Sequence, residues 1–111
     1  MITLDALRAM GVNVDEGLGR CMNNEMFYLR LVGKALDDAG FAALQAALEA
    51  GSWSEAFEQA HRLKGAIGNL SLTPVYEPLS VLTERLRTRE AVEYEPLLAE
   101  ILEKRGAMRA L

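Results

Sequence analysis

One stretch of the chain carries side chains able to do group-transfer chemistry: Ala60-His61-Arg62-Leu63-Lys64-Gly65-Ala66-Ile67-Gly68-Asn69-Leu70. It holds the only histidine among 111 residues. Histidine's ordinary pKa is about 6.5, so much of an ordinary imidazole is neutral and nucleophilic at cell pH. A ring nitrogen can attack a phosphoryl group in line, and the charge that develops on the phosphoryl oxygens calls for a nearby cation. Lys64 lies one helical turn on and supplies that cation without a metal in this chain. Other uses of a lone histidine find less support. One His with no Cys and no carboxylate at i+3 or i+4 cannot fill a metal site. No Gly-x-Ser-x-Gly context suggests a hydrolase triad. A histidine acting as general base needs a substrate pocket that a slim helical protein does not offer. A surface or capping histidine without chemistry is the plain alternative.

The element that must position this stretch is a helix. His61, Lys64, Gly65 and Gly68 stand at i, i+3, i+4 and i+7 and so share one stripe. Trp53, Ala56, Phe57, Ala60, Leu63, Ile67 and Leu70 form a second, apolar stripe. His61 lies roughly 120° around the wheel from the centre of that stripe, which places it at or near solvent. Each glycine costs about 1 kcal/mol relative to alanine inside a helix. Two readings of the glycines stand open: clearance for a large partner, or tight packing against another helix of the same chain.

His61-x-x-Lys64-Gly65, with Ala66, Gly68, Asn69 and Leu70 after it, resembles the signature of histidine-containing phosphotransfer (HPt) domains. The upstream Gly51-Ser52-Trp53 turn and the Asn23-Asn24-Glu25 helix start resemble the family too, and the likeness spans nearly the whole chain. Ser71-Leu72 departs from it, since the family more often has Gly and a small residue there. The resemblance implies a phosphorelay intermediate that exchanges phosphate with an aspartate of a response-regulator receiver domain, fed by that receiver or by a hybrid sensor histidine kinase. His61 would be acceptor and donor, and Lys64 would steady the phosphoryl group. Gly65 and Gly68 would clear space for the partner. Arg62 would add steering or be a solvated charge, and Asn69 would match the motif or bond near the helix end. The receiver would bring its own acidic pocket and Mg²⁺, so no cofactor belongs to this chain. With no glycine-rich phosphate loop and no kinase motif, the protein is expected to be a phosphocarrier rather than an ATP-using enzyme. The rival function is a helical scaffold that carries no phosphate.

Composition bounds these readings. The chain length fits one domain with a single core, and 50% hydrophobic residues exclude a disordered segment. No apolar run reaches the ~20 residues of a membrane span, and the N-terminus lacks a signal-peptide pattern. A single Cys21 cannot form an internal disulfide, which fits a reduced, cytoplasmic setting. A net charge of −4 argues against nucleic acid. Arg85, Arg87 and Arg89 are the one local basic cluster, placed to complement a helix end. The start methionine favours a stand-alone protein.

Along the chain, Thr3 to Met10 and a segment capped by Asn13 or Asp15 and running through Met22 read as short helices that cannot stand alone. Asn23 or Asn24 caps a helix read as one long element from Glu25 to Ala50, bent near Gly40, with two helices as the alternative; Met26, Leu29, Val32 and Leu36 give its stripe. Gly51 stops it, and Ser52-x-x-Glu55 reads as a capping box for the helix that carries His61, Trp53 to Leu70. Thr73-Pro74 offers the next start, with Pro78 bending the helix or delaying its regular part. Thr88 to Val92 reads as a turn, Pro96 opens a last helix bearing Leu97, Leu98, Ile101 and Leu102, and Gly106 loosens its end. The expected fold is all-α: a monomeric, antiparallel up-down-up-down four-helix bundle over residues 24–110, with residues 1–22 as short helices packed on it, one domain over 1–111.

Overall fold

A computed structural model describes residues 2–88 and 93–111. The described residues form seven helices and no strand: α1 (Leu4–Ala9), α2 (Val14–Arg20), α3 (Glu25–Leu36), α4 (Gly40–Glu49), α5 (Trp53–Asn69), α6 (Thr73–Thr88) and α7 (Glu95–Arg109). α5 packs against α4 on one side and α6 on the other, α6 packs against α7, and α3 meets α7. Their common core holds Phe41, Leu44, Leu48, Leu63, Ile67, Leu79, Leu82 and Ile101, all at most 1% exposed. The expected turn at 88–92 and Arg89 fall largely outside the described residues.

The helix starts follow the local sequence. Thr3, Asn13 and Asn24 each accept a backbone N–H with their side chains at the first turns of α1, α2 and α3. Ser52 occupies the same place before α5 but its hydroxyl makes no capping bond, so the capping box does not form. Asn13 reaches its target at nearly the same ψ, 78° against 75° for Ser52, because its side chain is longer. Gly51, at φ +70°, closes α4 instead: its N–H bonds Leu48 O at 3.1 Å and the next N–H, of Ser52, bonds Ala47 O at 2.8 Å.

The single long helix expected from Glu25 to Ala50 is two helices. The chain breaks at Asp37-Asp38-Ala39, where the Asp38 carboxylate accepts the Gly40 N–H at 2.7 Å and receives both arms of the Arg62 guanidinium, at 3.0 and 2.9 Å. A carboxylate bonding the backbone two residues on makes a turn that competes with helix. The α3 stripe also sits differently. Tyr28, Val32 and Leu36 are buried, whereas Met26 is 77% exposed. Trp53, expected in the core, is 42% exposed and meets Tyr94 edge-on at 6.2 Å, and Phe57 is only half-buried. Alanines 56 and 60 fill the inner face of α5 in their place. α6 begins at Thr73 and runs through Pro78, which is buried, and α7 runs through Gly106.

Candidate functional site

The C-terminal end of α5 is held from outside its own sequence. Leu70 ends the helix and Ser71 turns left-handed, at φ +56°. Its N–H bonds Gly68 O at 3.0 Å and the Leu72 N–H bonds Ile67 O at 3.2 Å, the paired bonds that usually accompany glycine at this place. A serine here carries strain of the order of 1 kcal/mol, and its side chain offsets that. Ser71 Oγ donates to Glu16 Oε1 at 2.8 Å and accepts from Arg20 Nη1 at 2.9 Å. The same Arg20 arm reaches Gly68 O and Asn69 O at 3.0 and 3.3 Å, and its other arm pairs with Glu16 at 2.9 Å. The Ser71 hydroxyl, then Arg20, hold the Glu16 carboxyl below its ordinary range. Tyr28 Oη donates to Leu70 O at 2.8 Å, and burial pushes that phenol up to about 12. Three consecutive carbonyls at the negative end of the helix dipole therefore meet donors from α2 and α3.

The outer stripe of α5 contrasts with this end. His61 and Gly65 are exposed, and Lys64 and Gly68 are half-buried. His61, Lys64, Gly65, Gly68 and Asn69 line one open depression of about 650 Å³, together with Tyr76 and Glu77 of α6 and Arg20 of α2. Among the described residues, no hydrogen bond or ion pair engages the His61 ring or the Lys64 ammonium. The imidazole touches one partner ring, Phe57, stacked at 5.7 Å between centroids and 17° from parallel. No group of three or more His, Cys, Asp or Glu able to hold a metal occurs among the described residues.

The two glycines part company. A Cβ built on Gly65 would meet nothing within 4 Å, whereas on Gly68 it would lie 2.8 Å from Tyr76 Cε1. Space at 68 is used by the α6 tyrosine, and space at 65 is empty. Arg62 does not join the depression. Its guanidinium is committed to Asp38, with Gln59 at 3.3 Å, so it ties α5 to the α3–α4 turn rather than standing as a solvated charge. That fork, together with the Gly40 N–H, outweighs desolvation and holds Asp38 at about 2.

A nucleophilic ring and an unengaged cation on one exposed helix stripe, with a bare backbone position beside them, is a layout for group transfer to a docked macromolecule. The family model described as Hpt domain matches residues 37–110, which run from the α3–α4 turn to the end of α7. The chain belongs to the Hpt domain family. No curated protein and no solved structure gives a significant match. Hpt domains carry out histidine phosphotransfer in two-component signalling. The match begins after α1, α2 and α3, so Glu16, Arg20 and Tyr28, which hold the end of the histidine-bearing helix, lie outside it. No helix among the described residues is long and apolar enough to cross a membrane.

The sequence reading missed Arg20, Glu16 and Tyr28. Tyr28 was legible, since Tyr28, Val32 and Leu36 run at i, i+4 and i+8 and describe the buried stripe better than Met26 does. Arg20 had no such signal, because its role depends on a contact 48 residues away.

Proposed function

We propose that this Hpt domain is a phosphorelay intermediate in which His61 accepts a phosphoryl group from, and returns it to, an aspartate of a response-regulator receiver domain. The observation that carries the reading is the lone, exposed imidazole beside an unengaged ammonium, His61 and Lys64, lining one depression with open space at Gly65. In the forward step an in-plane lone pair of the neutral ring forms the N–P bond. The P–O bond to the receiver's aspartate breaks, and the carboxylate leaves with the electron pair. Lys64 stabilises the charge on the equatorial oxygens. Gly65 lets the partner approach, and Gly68 lines the same depression while accommodating Tyr76. The receiver, free or part of a hybrid sensor kinase, contributes the acidic pocket and Mg²⁺, and this chain works as a monomeric cytoplasmic phosphocarrier without ATP chemistry. The packing of α4 on α5, α5 on α6 and α6 on α7, with α3 on α7, supports an up-and-down four-helix bundle in which α3 and α4 together make one arm, and α1–α2 belong to the same domain through the Arg20 contacts.

The test is incubation with a phosphorylated receiver. The label should be acid-labile and base-stable, as a phosphoramidate is, and His61→Gln should fold normally and take none. Persistent labelling of that variant would place the acceptor elsewhere. No labelling of the wild-type chain by any receiver of its source would leave the scaffold reading in its place.

A further inference from the structure

Phe57, His61 and Gly65 follow one another at i, i+4 and i+8 on α5 and so form a single column. Side chains on a helix lean toward its N-terminus, each over the turn before its own. His61 leans onto Phe57 accordingly, ring against ring, 5.7 Å between centroids and 17° from parallel. A side chain at 65 would lean onto the imidazole in the same way. The glycine leaves that side uncovered, with open space around a Cβ built there. Phe57 is steadied in turn from α6: the Arg87 guanidinium carbon lies 5.0 Å from its ring centroid, and Arg87 is tied to Glu84 at 3.3 Å.

The second side-chain torsion of histidine is a broad rotor with no sharp staggered wells. No hydrogen bond among the described residues fixes it at His61. The Phe57 stack is what limits it. The lone pair of the unprotonated ring nitrogen lies in the ring plane, so a stack against the face restrains the ring and leaves that nitrogen, in either tautomer, free to react. In-line attack depends on where that plane points.

We propose that Phe57 is a positioning residue for phosphoryl transfer: its ring, held by Arg87, fixes the plane of the His61 imidazole so that a ring nitrogen meets the docked phosphorus in line. This rests on the phosphoryl chemistry proposed for His61. Phe57 exchanges no atom or electron in the step.

The experiment compares wild type, Phe57→Leu and Phe57→Tyr. Leucine keeps bulk without a ring, and tyrosine keeps the ring. Single-turnover transfer is measured from saturating amounts of the phosphorylated receiver that labels wild type. Potassium phosphoramidate serves as a small donor that needs no docking. The His61 ring protons are followed by NMR. Phe57→Leu should lower the saturated receiver rate about tenfold, with half-saturation unchanged, because misdirecting a docked reactant by a fraction of an ångström carries costs of this order. Labelling by phosphoramidate should stay within about twofold, since a free donor can follow the ring to any plane. The ring-proton resonances should move downfield as the shielding of the aromatic face is lost. Phe57→Tyr should restore all three readings. Unmoved resonances, an unchanged receiver rate, or an equal fall with both donors would each overturn the positioning role. A wild-type protein that takes no phosphate ends the functional reading and this proposal with it. A labelled wild type matched by Phe57→Leu ends this proposal alone.

Discussion

The two halves of the outer stripe of α5 are built on opposite plans. From Gly68 to Ser71 nearly every polar group is engaged: carbonyls by Arg20 and Tyr28, the Ser71 hydroxyl by Glu16 and Arg20, the bare backbone at Gly68 by Tyr76. From His61 to Gly65 the imidazole and the ammonium make no hydrogen bond or ion pair among the described residues, the imidazole stacks on Phe57, and a Cβ at Gly65 would meet nothing within 4 Å. On the proposed reading, the helix is anchored where it does no chemistry and left open where the receiver would arrive. If His61 carries the phosphoryl group as proposed, preorganisation is exported to the end of the element, and the reactive groups need no restraining bonds that transfer would have to break.

Placing the same side chain in both halves is the sharpest way to break that contrast. Gly65→Gln should fold at least as well as wild type, since glycine is the poorer helix former, and should slow receiver-to-His61 transfer by about two orders of magnitude by misplacing the partner. Gly68→Gln should instead lower stability by about 1–3 kcal/mol through overpacking against Tyr76. Thermal melting and transfer per folded molecule, measured on both proteins, separate the two. A destabilised Gly65→Gln with normal transfer would erase the distinction.

The next test works on the anchored half alone. Tyr28→Phe removes one hydroxyl, leaves the buried Leu70 carbonyl without its 2.8 Å donor, and should cost about 1–3 kcal/mol. Denaturant titration gives the value. Transfer per folded molecule should change far less than in Gly65→Gln, and an equal loss would show that the end of α5 acts directly on the chemistry.

Much of this was legible in the residues, for physical reasons. Helical periodicity, the stop at Gly51 and the asparagine caps are local, and they placed α5 and exposed His61 correctly. The division of labour between Gly65 and Gly68 was left open because it depends on where α6 puts Tyr76. Arg62 read as a steering residue for a partner, or else a solvated charge, because the Asp38 it binds is 24 residues away. The break near Gly40 was legible only as the alternative to one bent helix: the apolar pattern is interrupted at Gly40 and resumes at Phe41, and a turn wins once the Asp38 carboxylate finds both the Gly40 N–H and a guanidinium.

The smallest effect concerns that pair. Asp38 falls from an ordinary 3.8 to about 2 on folding, with the Arg62 fork as the main cause. A folded-state pKa below the unfolded one means the unfolded chain binds more protons in this window. The contribution is therefore complete above about pH 4 and is lost as pH falls toward 2. Arg62 is half exposed, so the contribution should stay below about 1 kcal/mol. Melting curves from about pH 5 downward should show a shallower acid limb in Asp38→Asn than in wild type. Parallel limbs would assign the acid loss to other carboxylates.

The Arg20 clasp also sets an order of assembly. Helices α1 and α2 have six and seven residues, too few to persist alone in water. What Arg20 and Glu16 bind lies 48 to 55 residues further along the chain. Closing loops of that size precedes any reward from the contact. α1 and α2, made before α5, are thus expected to finish folding after it, waiting for a helix end that has yet to be made. Pulse-labelled amide exchange during refolding would see protection in α1 and α2 lag behind that of α5.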